Sequence, residues 1–256
     1  MCLILFAWDA HPDYEYVAVA NRDEFHARPT AAAAFWQDEP AILAGRDLQA
    51  GGTWMGVSRN GRFAAITNYR EPAAPEIPLE RSRGVLVRDF LTSKAGPGVA
   101  AESLEHEAAQ YRGFNLMLGH AGELVYVSNR GAQARAVAPG IHGLSNHLLD
   151  TDWPKVHEGR ERLANIVERD VIDREALFAL MTDRKPVGGT LPGGEAPRLA
   201  PEDLVRHYFI ESSVYGTRSI TVLLLRRDGL ITFEERRFSP DGEHDGVSVF
   251  EFERAP

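Results

Sequence analysis

The chain has 256 residues, of which 44% are hydrophobic and 25% charged, with a formal net charge of −9. That size can bury a substantial core, and the acidic balance lacks the basic face a nucleic-acid partner requires. Cys2 is the one cysteine, which excludes an internal disulfide and a multi-cysteine zinc site and fits a reducing compartment.

In chain order, CLILFAW (2–8) and EYVAVAN (15–21) read as two strands joined by DAHPDY, a loop with Pro and Asp turn chemistry. The opening run meets Asp9 without a basic lead, so it reads as a strand of a cytoplasmic protein and not as a signal peptide. No stretch approaches the roughly 20 apolar residues of a membrane span. TWMGVSRNGRFAAITNY (53–69) predicts a hairpin turning at Asn60-Gly61. Helical spacing follows in SRGVLVRDFLTS (82–93), and a second helix is expected around 100–111.

FNLMLG and ELVYVSN predict a strand pair, and IHGLSNH a short strand. WPKVHEGRERLANIVE starts a helix near Pro154, and DREALFALMTD and PEDLVRHYF predict two more. The glycine-rich VGGTLPGG between them lacks the Gly-Lys-Ser/Thr of a phosphate loop. The end is all strand: SITVLLLRR, LITFEERRF and VSVFEFE. Strands at both ends with helices grouped between them predict an α+β protein, one domain (1–256) of stacked sheets flanked by helices.

Cys2 stands where removal of Met1 would make it the amino terminus, joining nucleophile and base on one residue. Asn21-Arg22-Asp23-Glu24 follows the second strand. Taken alone, four polar residues there are a solvated turn. If the two strands pair as a hairpin, however, Arg22 and Asp23 come beside the thiol. Arg22 would then lower its pKa, and Asp23 could hold the α-amine. Asn68 and Asn146 each end an apolar strand and could supply oxyanion donors. Arg218 precedes a very apolar strand and needs a partner there. Asp9, His11 and Asp13 alternate as metal ligands might be spaced, but Pro12 explains them as a loop, and no metal or cofactor is expected.

MCLI, NRDEFHARPT, GRDLQAGGTWMGV, FAAITNYREP and YGTRSITVLLL occur in that order over residues 1–225. Together they resemble the NRDE family, also called the Transport and Golgi organisation family. The resemblance implies an N-terminal-nucleophile (Ntn) hydrolase-like fold, a four-layer αββα sandwich of two antiparallel sheets. That fold is similar to the cysteine-type choloylglycine and penicillin V acylases. Those enzymes place an Arg and an Asp after the second strand, two Asn near the oxyanion and a late Arg. On this chain Cys2 matches the nucleophile, Arg22 and Asp23 the Arg and Asp, Asn68 and Asn146 the two amides, and Arg218 the late Arg. The acylases separate the Arg and Asp that are adjacent here, so either Asp23 or Glu24 could hold the amine.

The implied activity is hydrolysis of a non-peptide C–N amide bond through a thioester on Cys2, with flanking Phe, Trp and Leu residues favouring an apolar acyl group. The alternative is a carrier of haem or acyl-lipid that keeps the hydrolase fold, with Cys2 or His11 as axial ligand to haem and Arg22 and Arg218 holding its acidic groups. The expected partner is thus a small-molecule amide, an acyl-lipid or haem.

Overall fold

A computed structural model describes residues 2–71, 81–188 and 206–255. Thirteen strands form two antiparallel sheets among these residues. The first contains β1 (Leu3–Trp8), β2 (Tyr14–Phe25), β10 (Gly140–Leu144), β11 (Tyr215–Arg226), β12 (Leu230–Phe238) and β13 (His244–Glu253), in the order β10-β1-β2-β11-β12-β13. The second runs β3 (Thr30–Phe35), β4 (Ile42–Asp47), β5 (Met55–Ser58), β6 (Phe63–Asn68), β7 (Phe114–His120), β8 (Glu123–Ser128) and β9 (Arg135–Ala136), side by side in chain order.

Strand alternation divides the apolar residues among three cores. Ile4, Phe6, Ala18 and Leu223 of the first sheet meet Leu43, Val57, Phe63 and Met117 of the second. On the outer side of the first sheet, Leu3, Leu5 and Val19 pack on α3 (Pro154–Val167) and α4 (Arg174–Met181). On the outer side of the second, Ala64, Ile66 and Leu116 pack on α1 (Gly84–Thr92) and α2 (Pro97–Glu105). The layers are therefore helix, sheet, sheet, helix: the α+β sandwich expected.

Most of the expected elements are present, with informative differences. The hairpin at Asn60-Gly61 forms, and Gly61 takes φ +81°, a value open to glycine at little cost. β3 carries no strand signal, since TAAAAF is alanine-rich and β-poor, and β4 (ILAGRD) is a short run broken by Gly45. Pairing with each other and with β5 makes them strands. The helix expected at 100–111 starts earlier, at Pro97, because proline fits the first helical position. The expected helix at 201–209 and the glycine-rich 187–194 fall largely outside the described residues, as does Met1.

The NRDE segment is no turn. β2 continues through Phe25 because β11 pairs with it along the whole length, from Tyr215 opposite Phe25 to Arg226 opposite Tyr14. Asn21, Arg22 and Asp23 are consequently buried.

Candidate active site

Which side of the sheet each motif residue serves follows from the register. Leu3 opposes Asn21 and Ile4 opposes Ala20. Leu3 belongs to the core under α3 and α4, whereas Ile4 and Ala20 belong to the core between the sheets. One residue before Leu3, Cys2 therefore turns to the inter-sheet side, and Arg22, next after Asn21, turns the same way. Asn21 and Asp23 face the helices.

On the inter-sheet side, the Arg22 guanidinium lies 4.3 Å from the Trp54 ring centroid, an arrangement that favours the cation. Its Nη1 donates to Thr30 Oγ1 at 3.1 Å, and Nη2 stands 4.0 Å from Glu24. On the helix side, Asp23 Oδ1 accepts from Thr217 Oγ1 at 2.7 Å and from Asn21 Nδ2 at 3.0 Å. Asn21 Oδ1 in turn accepts the Leu3 N–H at 2.5 Å. A hydrogen-bonded path thus runs from the Asp23 carboxylate to the backbone at the start of β1. Burial pushes the Asp23 pKa up, while the charge of Lys155 and the Thr217 hydroxyl pull it back.

Lys155, in the first turn of α3, is 1% exposed. Burial lowers its pKa, and the charges of Asp23 and Cys2 oppose that. Nothing in WPKVHEG distinguishes this lysine from a surface one; its burial comes from α3 lying on β1.

The Cys2 residue is half-buried, and Ser145 Oγ donates to its carbonyl at 2.9 Å. Arg22 favours the thiolate, as expected, yet the net shift is upward, because burial, helped by the Asp23 charge, outweighs Arg22 and the Asp23 backbone N–H.

The thiol opens on a cleft of about 130 Å³ whose wall includes Arg22, Asp23, Glu24, Arg28, Asp47, Asn68 and Arg83. Trp54 and Ile66 are its large apolar side chains. Among the described residues the wall of this cleft is mostly polar; of the Phe and Leu residues flanking the motifs, Phe63 and Leu43 pack into the cores whereas Phe25 and Leu48 are exposed.

Asn68 ends β6 and is exposed on the cleft wall. Asn146 is 3% exposed and donates Nδ2 to the Asn68 backbone carbonyl at 2.8 Å, so the fold brings the two residues together, with Asn68 on the cleft wall and Asn146 behind it. Arg218 has other contacts. It occupies an irregularity in the β2–β11 register between Thr217 and Ser219, and its Nη1 donates to the carbonyls of Phe25, Arg28 and His26 at 3.0, 3.1 and 3.3 Å. It clamps the loop that carries Arg28 to the cleft. Glu24 lies on the cleft wall and pairs with Arg22 and Arg28. His11 has both ring nitrogens engaged, Nδ1 by the Asp13 N–H and Nε2 by the Arg169 carbonyl, each at 3.0 Å. That leaves neither nitrogen for an axial bond to haem. Among the described residues, no group of three His, Cys, Asp or Glu side chains is placed to hold a metal.

Arg83 is a wall residue that sequence reasoning passed over. It precedes α1, whose first residue lies against the 51–53 loop: Thr53 N–H donates to the Gly84 carbonyl at 3.1 Å. A Cβ on Gly52 would come 2.4 Å from the Gly84 carbonyl carbon. The available signal was the Gly51-Gly52 pair itself, which permits a close backbone approach.

Comparison with known proteins agrees with this architecture. The family model described as "Transport and Golgi organisation 2" matches residues 1–240. A Bos taurus Transport and Golgi organization protein 2 homolog is 37% identical over 263 residues, covering 92% of each chain. The Homo sapiens homolog is 35% identical over 280 residues, covering 98% of this chain and 99% of that protein. Among solved structures, the Caenorhabditis elegans ortholog of N-acylethanolamine-hydrolyzing acid amidase superposes with a TM-score of 0.52 at 11% identity, over 87% of this chain and 92% of that one. At such identity the likeness is one of fold.

Proposed function

Since the chain belongs to the Transport and Golgi organisation 2 family, and its fold is that of an Ntn hydrolase, we propose that it is an amidase whose nucleophile is Cys2, acting on a small N-acyl amide after removal of Met1. The observation that carries this reading is the division of the NRDE motif by strand alternation. Arg22 shares the cleft side with Cys2, while Asp23 and Asn21 lie behind the backbone of the first residues. A thiol in a cleft, a cation beside it and a carboxylate path to the chain start are more than a binding pocket requires.

In this mechanism the α-amine freed on Cys2 takes the thiol proton as sulfur attacks the amide carbonyl carbon. Asn68 and Asn146 supply donors for the oxyanion. The C–N bond breaks, the amine leaves with the proton held by the α-ammonium, and a thioester remains on sulfur. Water, deprotonated by the same amine, then adds to the thioester carbonyl. The C–S bond breaks to release the carboxylic acid, and the ammonium returns its proton to the Cys2 thiolate. Asp23 is the partner the geometry favours for the ammonium, because Glu24 is engaged with Arg22 and Arg28.

Intact mass after incubation with an N-acylethanolamine, the substrate class named for the C. elegans structure, is the test. Loss of Met1 together with an acyl adduct on Cys2 is expected, and Cys2→Ala should abolish both the adduct and amine release. A protein that retains Met1 and releases no amine would sink the reading in favour of a carrier.

A further inference from the structure

Arg83 lines the Cys2 cleft, and among the described residues no carboxylate lies within ion-pair distance of it. Among the described residues, the other two arginines of the wall are met by carboxylates: Arg22 by Glu24 at 4.0 Å, and Arg28 by Asp47 at 2.7 Å and Glu24 at 3.9 Å. Arg83 instead donates Nη1 to the Gly113 carbonyl at 2.9 Å, and it makes no ion pair within 4.0 Å among the described residues. Of its charged neighbours, Glu24 and the Cys2 thiolate favour the cation only from beyond contact, and Glu24 is shared between Arg22 and Arg28. Arg112 carries the same sign. Glu71, which feels Arg83, is already bound by Arg130 at 2.5 Å and by the Gly113 N–H at 3.0 Å.

A partly buried guanidinium with one neutral acceptor has donors left over in a fork that fits a carboxylate. The backbone contact between Thr53 and Gly84 fixes it at the mouth of the nucleophile's cleft. A cleft of about 130 Å³ with a mostly polar wall suits the small amine half of an amide and not an acyl chain.

We propose that Arg83 receives a carboxylate on the amine half of the substrate, so that the molecule cleaved beside Cys2 is an N-acyl amino acid. This inference rests on the amidase reading above. It implies a preference over neutral ethanolamides, which bring no carboxylate for Arg83 to receive.

The experiment compares N-octanoylglycine with N-octanoylethanolamine, which share an acyl chain and differ in the carboxylate. Binding is measured by calorimetry on full-length Cys2→Ala, and turnover on the native chain. The glycine conjugate is expected to bind about tenfold or more tightly, the scale of a hydrogen bond to a charged group. Arg83→Gln should erase that preference by weakening the glycine conjugate more than the ethanolamide, and Arg83→Lys should restore part of it. Equal binding of the two ligands, no binding of the glycine conjugate, or equal weakening of both by Arg83→Gln would overturn the proposal. Preference without turnover would keep the carboxylate site and sink the amidase; turnover without preference would do the reverse.

Discussion

Ser145 donates its hydroxyl to the carbonyl of Cys2 at 2.9 Å, across 143 residues of chain. The Ser145 carbonyl accepts from Thr67 Oγ1 at 2.6 Å, so the segment after β10 ties β1 of one sheet to β6 of the other beside the thiol. Ser145→Ala should cost about 1 kcal/mol of stability, the net value of one such hydrogen bond. It should also loosen the start of the chain, so hydrogen exchange at Leu3 is expected to speed up relative to Phe6. Unchanged exchange at Leu3 would show that the contact holds nothing in place.

The thiol itself has a defined pH behaviour. Burial raises its pKa and Arg22 opposes that, so the thiolate should form only above the ordinary thiol value of about 8.5. Alkylation rate against pH is therefore expected to rise late, and Arg22→Ala should move the midpoint higher still because the opposing charge is gone. A downward move would place the guanidinium away from the sulfur.

Asp23 and Lys155 are both buried and each charge favours the other. Removing one partner leaves a buried charge exposed to desolvation, which costs about 3 kcal/mol. Lys155→Met alone should destabilise by that order, and Lys155→Met with Asp23→Asn should recover much of it. The Lys155 pKa is depressed, so its ammonium destabilises the fold fully below the folded pKa. That cost fades as pH rises through the folded pKa toward the unfolded value. Urea unfolding of the wild type should accordingly show a gain in stability at alkaline pH that Lys155→Met lacks. Additive single and double variants would mean that the two charges are independent.

Gly52→Ala tests the approach that delivers Arg83. Its Cβ would meet the Gly84 carbonyl carbon at 2.4 Å, a backbone atom with little room to yield. About 2 kcal/mol of destabilisation is expected from overpacking, with Arg83 displaced from the cleft. Alanine at the neighbouring Gly51 meets nothing within 4 Å, but the φ of +72° there strains it for a different reason. The two variants therefore separate by function: Gly52→Ala should weaken binding of a carboxylate ligand, and Gly51→Ala should leave it intact. Equal effects would detach the cleft from the α1 contact.

Much of the fold was legible because alternation and turn chemistry are local properties. The strands around Cys2, the Asn60-Gly61 hairpin and the all-strand end could each be read from a few residues. β3 could not, since its strand state comes from pairing with β4 and not from its alanine-rich sequence.

The amino-acid sequence by itself determined which groups are present and near which strand ends: Cys2 at the first, Arg22 and Asp23 within the second, Asn68 and Asn146 at two later ones. Only the tertiary structure decided how they are shared out. Adjacent residues on a strand point to opposite faces, so Arg22 went to the cleft and Asp23 to the helix side, a division no linear spacing reveals until the register is known. The same holds for Lys155 and Arg83, ordinary in their own segments. They acquire meaning from α3 lying on β1 and from α1 abutting Thr53, contacts between segments that are distant in the chain. Burial, finally, is a property of the packed whole. It is why the thiol pKa rises although its sequence neighbour by register is a cation.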